Sequence, residues 1–423
     1  MSPATTHDVL VVGGGPGGAA TATFLARAGL RVALFERERF PRFHVGESLV
    51  PATLPILDRL GVGERVARQG FQVKHGACFS DQEMNLEHTF YFLKNRPWPS
   101  YAYEVPRADF DAVLLDHAKQ CGVAVHEAHV ADVAFDPRGV TLTGDGERGP
   151  FEARGAFLVD ASGRDGFLAG RIGHRERVPN LGKVALFAHF RGAERARGID
   201  EGNIRIAVFE DGWFWWIPFA GDVTSIGCVM HARTARGRDI SVEDLFESMI
   251  ARCWRVAKGL QGAERVTPVY RAANFAYVNR PMIGDRFVAV GDSVAFIDPI
   301  FSGGVHIALG SAELASRAIR RAIATGRFEA REFEDYEKAV WRGITPFFRF
   351  IHKYYEPAFL ELFLKPRNYL GVRDAVLTVL SGGAFFGMPY WAKGSLAVLF
   401  ALTRLKVATR RRAGLPVESR LEW

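Results

Sequence analysis

The chain opens on a continuous apolar run, Val9-Leu10-Val11-Val12, which gives way to Gly13-Gly14-Gly15-Pro16-Gly17-Gly18. A helix-like stretch follows over residues 19–28, then a second apolar run over residues 31–35 that closes on Glu36. An apolar run bounded by glycine marks a strand buried on both faces, so strand, turn, helix and strand predict a parallel βαβ unit. Residues 37–50 are rich in turn and charged side chains and predict a loop into a helix over residues 51–60, with Ser48 a candidate N-cap. Residues 71–79 alternate as a strand, and residues 107–120 place Phe110, Val113, Leu114 and Ala118 at helical spacing. Short strands are expected at residues 124–127, 130–135, 140–143 and 156–159, the last ending in the turn Asp160-Ala161-Ser162-Gly163. Residues 183–191, 204–210, 212–218 and 224–230 alternate between Gly/Asp turns, which predicts an antiparallel sheet and a second domain. A further buried strand, residues 287–290, leads through Gly291-Asp292 and a polar turn into a long helix ending near Ile323. Helices are expected from about Glu332 onward, as a cap over the second domain.

The expected fold class is therefore α/β: a Rossmann-like nucleotide-binding domain with an inserted antiparallel-sheet substrate domain and a C-terminal helical extension. The first domain takes residues 1–74, 105–175 and 281–330, the second takes 75–104 and 176–280, and the helical region takes 331–423. Gly13, Gly15 and Gly18 fill G-x-G-x-x-G. They permit a tight turn, close approach of backbone to a pyrophosphate, and close packing of helix on strand. The helix start offers unpaired N–H groups to the phosphates, and Glu36 stands where a ribose hydroxyl needs an acceptor. A purely structural glycine turn leaves Glu36 unexplained. No second G-x-G-x-x-G unit for NAD(P)H stands out.

Composition narrows the class. The chain has 423 residues, 48% apolar and 24% charged, as expected of a globular protein with two or three units. Four scattered cysteines form no C-x-x-C, which suits a reduced cytoplasm and neither a disulfide framework nor a metal site. No secretory leader precedes the first strand, and the apolar stretch over residues 375–405 is broken by Pro389, Lys393 and glycines before it reaches the ~18 residues a membrane span needs. The net charge of +7 gathers toward Arg404, Lys406, Arg410, Arg411 and Arg412. Such a run reads as a solvated face, as a dock for an acidic protein, or as a peripheral membrane contact; no recognition module points to nucleic acid. Lys74, on an alternating strand, faces either solvent or a cavity.

The N-terminal glycine turn, Pro106-Arg107 before a helix, Asp160 with its glycine turn, and Gly291-Asp292 with Pro299 together resemble flavin monooxygenases of the para-hydroxybenzoate hydroxylase type, over about residues 7–325. Within that frame, Trp213-Phe214-Trp215-Trp216-Ile217-Pro218 fills W-x-W-x-I-P, and Phe296 to Gly304 fills F-x-x-P-x-x-S-x-G. Both resemble the flavin-dependent halogenases. Lys74 with Gly76 and Phe79 matches the active-site lysine of that family, and Val45-Gly46-Glu47-Ser48 matches its early G-E-S segment.

The resemblance implies FAD held by Gly13, Gly15, Gly18, Glu36, Ser48, Arg107, Asp160, Asp292 and Pro299, reduced by a separate flavin reductase. It implies a halide ion at the backbone N–H groups of Gly303 and Gly304 after Ser302. It further implies that halide is oxidised to hypohalous acid, that Trp213 and Trp215 wall off the flavin from the substrate, and that Lys74 presents halogen to an electron-rich ring. A buried amine, shielded from bulk water, suits that last task. Tryptophan halogenases carry a glutamate before the motif serine, where this chain has Phe301, and this chain is shorter. It therefore looks closer to halogenases of phenol or pyrrole rings, free or held on an acyl carrier protein, with Glu47 or Asp298 as stand-in acids. Carrier proteins are acidic, so the basic C-terminal helices are a candidate dock. The rivals are a flavin monooxygenase without halogenation and a flavin-binding partner without turnover.

Overall fold

The computed structural model describes residues 6–94, 97–179, 182–235, 240–273 and 276–418. The βαβ unit is present. Strand Thr6–Val12 lies parallel to Val32–Glu36 on one side and to Gly149–Asp160 on the other. Ala124–Asp136 and Phe287–Ala289 extend the sheet at its two sides, also in parallel. Helices Pro16–Ala26 and Gly304–Thr325 pack on it. The carboxyl ends of the strands bring the glycine turn and the turns after Asp160 and Val290 to one rim, where open α/β sheets take their ligands.

The strands expected at 124–127 and 130–135 are one, Ala124–Asp136, with a bulge between Val130 and Asp132. Its parallel pairing ends at Glu127, and from Ala128 onward it pairs antiparallel with Gly139–Gly146, the bulge falling within that second pairing. Gly144, Gly146 and Gly149 repeat the glycine spacing, but they flank the hairpin between Gly139–Gly146 and Gly149–Asp160, with no helix after the turn.

The second sheet has eight strands. Lys183–Arg191, Val223–His231, Gly212–Pro218 and Ile204–Phe209 pair antiparallel, as expected. Gly76–Asp81 then adds parallel to Ile204–Phe209, and Leu86–Tyr91 completes the edge. Residues 71–79 are not one strand. Gln72–Lys74 pairs with Ala102–Glu104 in a separate ribbon, and the chain breaks at His75, whose N–H donates to Asn203 Oδ1 at 2.9 Å. The helix expected at 51–60 begins with a 3-10 turn, Pro51–Thr53, because Pro55 enters the first turn of Leu54–Leu60. Ser48 caps neither segment.

Four helices, Glu334–Tyr354, Pro357–Leu364, Val372–Leu380 and Tyr390–Arg412, form the C-terminal layer. Phe350, Phe359 and Phe363 meet Phe79 and Phe90 of the second sheet and Phe301 of the long-helix loop in one aromatic cluster. The layer thus covers the second sheet, as expected, and also clasps the first domain. His306 Nε2 lies 2.9 Å from Gly382 O, and Ala52 N–H donates to Ser381 O at 2.9 Å. Among the described residues no helix is long and apolar enough to cross a membrane.

The Phe385 ring is held between two glycines, one on each long helix. A Cβ on Gly310 would meet it at 2.5 Å and one on Gly343 at 2.6 Å. Gly310→Ala should therefore destabilise by about 1–3 kcal/mol through overpacking. Gly394→Ala, on a helical site with open space around it, should stabilise by about 0.5–1 kcal/mol. Urea unfolding of the two variants checks the opposite signs.

Candidate active site

A cavity of about 750 Å³ opens at the rim of the parallel sheet, between the glycine turn, the loop over residues 42–48 and the start of the long helix. Its walls fit a flavin dinucleotide. Gly13 adopts φ +102°, and a Cβ on Gly18 would overlap the Gly13 carbonyl oxygen, so only glycine closes this turn. Glu36 Oε2 accepts Gly14 N–H at 2.6 Å and Oε1 accepts Glu38 N–H at 2.8 Å. Each oxygen keeps capacity for a further donor such as a ribose hydroxyl. Buried Arg107 is held by a fork to Asp111 at 2.7 and 2.9 Å and donates to Val45 O at 2.9 Å, which fixes the Val45–Ser48 segment along the cavity. Asp292 lines the cavity, its carboxyl pushed up to about 6 by burial against the pull of Arg107 and Arg164.

Asp160 does not reach the cavity. Its oxygens accept Ser162 N–H, Ser162 Oγ–H and Leu168 N–H at 3.0, 2.6 and 2.8 Å, and this holds the turn so that Ser162 and Gly163 face the space instead.

The loop after Phe296 ends in an unusual turn. Asp298 accepts Ile300 N–H, Ser302 N–H returns to Pro299 O at 2.9 Å, and Ser302 takes the left-handed conformation at φ +56°. That turn starts the 22-residue helix at Gly304 with Gly303 and Gly304 on the cavity wall. The first N–H groups of a helix lack intrahelical partners and sit at its positive end, so this wall offers a small anion a site without a formal cation.

Trp213 and Trp215 share one face of Gly212–Pro218 and line the same cavity. Trp215 Nε1–H donates to Ser225 Oγ at 3.1 Å, and Trp213 Nε1–H donates to Tyr355 Oη at 2.8 Å. Tyr355 in turn donates to Asp298 Oδ2. Lys183 Nζ lies 4.4 Å from the Tyr355 ring centre. Burial raises the Asp298 carboxyl and lowers the Lys183 amine, while each steadies the other's charge.

Lys74 lies outside this cavity. It is 1% exposed and lines a second, small space of about 10 Å³, room for one water-sized body, with Phe92, Leu380 and Ile300. Ile204, Phe301 and Ser302 line both spaces and are the partition between them. The tryptophans face only the larger one. Lys74 Nζ–H donates to Ser48 Oγ at 2.6 Å, and Ser48 itself lines the large cavity. The hydroxyl expected to cap a helix thus bridges the two spaces.

The carboxylate beside Lys74 is neither stand-in. Glu47 meets His189 Nε2 at 2.8 Å, and Asp298 is engaged by Tyr355. The neighbour is Glu104, fully buried, with Oε1 3.7 Å from Lys74 Nζ. Residue patterns gave no warning of Glu104, Tyr355, Lys183 or His189. The one available signal was that Ala102–Glu104 ends directly before the Pro106-Arg107 motif.

The basic run also separates into two sets. Lys406 and Arg410 pair with Glu361 at 2.7 and 2.9 Å, and Arg410 is buried. Arg404, Arg411 and Arg412 are exposed.

The tryptophan halogenase family model matches residues 8–97 and 93–358. A 1H-pyrrole-2-carbonyl-[peptidyl-carrier protein] chlorinase of Pseudomonas fluorescens is 32% identical over 407 residues, 90% of each chain. The corresponding brominase of Pseudoalteromonas luteoviolacea is 32% identical over 76% of this chain and 79% of its own. Among solved structures, the flavin-dependent brominase Bmp2 superposes with TM-score 0.84 at 27% identity, covering 97% of this chain and 100% of that one. The myxobacterial chondrochloren halogenase CndH gives 0.78 at 31% identity, covering 95% and 96%.

Gly18→Ala should abolish flavin retention, since the added methyl overlaps the Gly13 carbonyl and reshapes the turn. Flavin absorbance of the protein after gel filtration with excess FAD checks this: the native chain should carry the yellow chromophore and the variant should not.

Proposed function

Because the chain belongs to the tryptophan halogenase family and is an FAD-dependent halogenase, we propose that it passes halogen through Lys74 to an electron-rich ring of the pyrrole or phenol type held on an acyl carrier protein. The observation that carries this reading is the placement of Lys74: a dry amine in its own small space, one partition away from the flavin-sized cavity. Bound reduced FAD supplies, with O2, the oxidising power that converts halide to hypohalous acid. The turn through Gly13 and Gly18 seats the pyrophosphate, with Glu36 on the ribose and Arg107 fixing the neighbouring loop. The N–H groups of Gly303 and Gly304, aimed by Ser302, hold the halide.

Trp213 and Trp215 occupy wall area that a carbon substrate would need, so the ring does not meet the flavin. In this reading hypohalous acid passes the wall of Ile204, Phe301 and Ser302, where the Ser48 hydroxyl already bonded to Lys74 stands. Lys74 then receives the halogen. Its space is large enough for hypohalous acid but not for a ring, so substrate entry requires its wall to open.

Reduced flavin comes from a separate reductase, consistent with a single strand–glycine turn–helix unit among the described residues. The carrier-bound substrate is favoured by the two carrier-dependent relatives, each similar over three quarters or more of this chain. It is also favoured by the last helix, Tyr390–Arg412. That helix bears six cations and no carboxylate, and it exposes Trp391, Leu402 and Leu405 beside Arg404, Arg411 and Arg412.

With FAD, a flavin reductase, NADH and halide in air, Lys74→Ala should lose halogenated product by roughly 10²-fold or more while still oxidising reduced flavin. Hydroxylated product or peroxide alone from the native chain, whatever the halide, would replace this reading with that of a monooxygenase. For the carrier, Arg411→Glu with Arg412→Glu should raise KM for a carrier-tethered ring about tenfold and weaken its salt dependence, leaving free-ring turnover unchanged. Arg410→Glu is the wrong probe, because it breaks the Glu361 pair and unsettles the helix itself.

A further inference from the structure

We propose that Glu104 is the proton-holding partner of Lys74, the group that lets this buried amine accept halogen and release it; the inference rests on the reading of Lys74 above. The two residues come from neighbouring strands of the small ribbon, with Lys74 opposite Ala102 and Gln72 opposite Glu104. Glu104 Oε1 stands 3.7 Å from Lys74 Nζ, both side chains are shut away from solvent, and the backbone of Glu104 bridges to Ser48, whose hydroxyl takes the Lys74 hydrogen bond. Apart from Ser302, the rest of the lining of the Lys74 space is apolar. The Phe92 ring centre lies 5.9 Å from Nζ, and Ala77, Phe79, Ile300 and Leu380 complete the space. The charged groups that face the pair are few. Glu47 acts on Glu104 and is itself bound to His189, and no other charged group acts on Lys74.

Such a pair is poor scaffolding. Desolvating a carboxylate and an ammonium exacts a large penalty, and apolar residues of similar volume hold a ribbon together as well or better. Its value lies in chemistry. Burial pushes the Glu104 carboxyl up to about 8 and the Lys74 amine down, and the two charges pull against those shifts. The groups therefore titrate together as a coupled pair. With one proton between them, the pair has access to the form in which Lys74 is a free amine and Glu104 a carboxylic acid.

That form accepts halogen with all atoms accounted for. The amine lone pair forms a nitrogen–halogen bond as the halogen–oxygen bond of hypohalous acid breaks. The departing hydroxide takes the Glu104 proton and leaves as water. The N-halo ammonium then returns one proton to the carboxylate, giving a neutral N-haloamine and a carboxylic acid. In the second half, Glu104 protonates that nitrogen, a ring carbon takes the halogen as the nitrogen–halogen bond breaks, and the electron pair restores the amine. The ring proton passes to the Glu104 carboxylate. The only oxidant consumed is hypohalous acid, which the proposed reading supplies. With two protons the pair lacks the lone pair, and with none it lacks the acid.

The test uses the intact holoenzyme with reductase and a phenolic or carrier-tethered pyrrole substrate. Native kcat/KM against pH should pass through a maximum, because only the singly protonated pair is competent. Glu104→Gln should lower the maximum roughly 10²-fold and turn the profile into a single rise with pH, the ionisation of Lys74 alone. Hypohalous acid escaping to a bleaching trap should increase in that variant while flavin oxidation is unchanged. Ionisation of hypohalous acid is common to both proteins and cancels in the ratio of the two profiles. Glu104→Asp should recover part of the rate and the maximum, and it serves as the probe where Glu104→Gln does not fold. A Glu104→Gln profile of native shape and height overturns the inference, as does a fall in rate that only tracks a fall in Tm. The reading beneath it fails separately: halogenated product from Lys74→Ala at the native rate removes the role of Lys74 itself.

Discussion

The structure turns on burying one amine beside an open, flavin-sized cavity. Lys74 sits on a three-residue strand that by itself buries nothing, so the burial comes from elsewhere. The loop over residues 37–50, fixed by Arg107, supplies Ser48, the second sheet supplies Ala77 and Phe79, and the C-terminal layer supplies Leu380. Chain segments near residues 48 and 380 thus close around the short run that carries Lys74. A lysine side chain placed there without these layers would extend into solvent and titrate as an ordinary surface group. The layered fold is thus a condition of the chemistry and not only its support.

The same layers communicate through polar contacts. Tyr355 at the end of helix Glu334–Tyr354 accepts the indole N–H of Trp213 and donates to Asp298, four residues before the left-handed Ser302. One phenol therefore ties the tryptophan strand, the loop that begins the long helix, and the C-terminal layer. Each member is buried, so each would lose more by being left unpaired than it gains in the pair. Lys183, beneath the phenol ring, keeps Asp298 from standing as a lone buried charge. The tryptophan strand and the loop that starts the long helix are set by the same network, so a shift of one strains the other.

The glycine turn and the nine residues ending at Gly304 were legible because their consequences are local. Gly13 and Gly18 leave no room for a side chain, and a serine followed by two glycines allows a helix to start abruptly. The tryptophan strand was legible for the same reason, since alternation alone puts Trp213 and Trp215 on one face. What could not be read depends on pairing across the chain. Nothing local marks His75 as a break, and a run that alternates from Phe71 to Phe79 divides between two sheets only because Ala102–Glu104 captures its first half. Ser48 carried a capping signal, yet the hydroxyl belongs to Lys74. Asp160 stood at the right turn, but its oxygens are consumed in holding that turn. The charge run misled in part because Glu361, fifty residues upstream, neutralises Lys406 and Arg410.

The displaced carboxylate follows from the same architecture. Position 301 lies in the partition and faces both spaces. A carboxylate there would be desolvated from two sides. This chain uses a phenylalanine instead, and the ring packs against Phe350, Tyr354 and Phe363 of the C-terminal layer. The partition is thereby joined to the helices that close the Lys74 space, which an acid at 301 would not achieve. The ribbon of Gln72–Lys74 with Ala102–Glu104 brings a carboxylate from the neighbouring strand, Glu104 Oε1 lying 3.7 Å from the amine and outside the lining of the flavin-sized cavity. With a phenylalanine at 301, Ile204, Phe301 and Ser302 place no carboxylate between the two spaces, and Glu104 Oε1 comes within 3.7 Å of Lys74 Nζ from the ribbon instead.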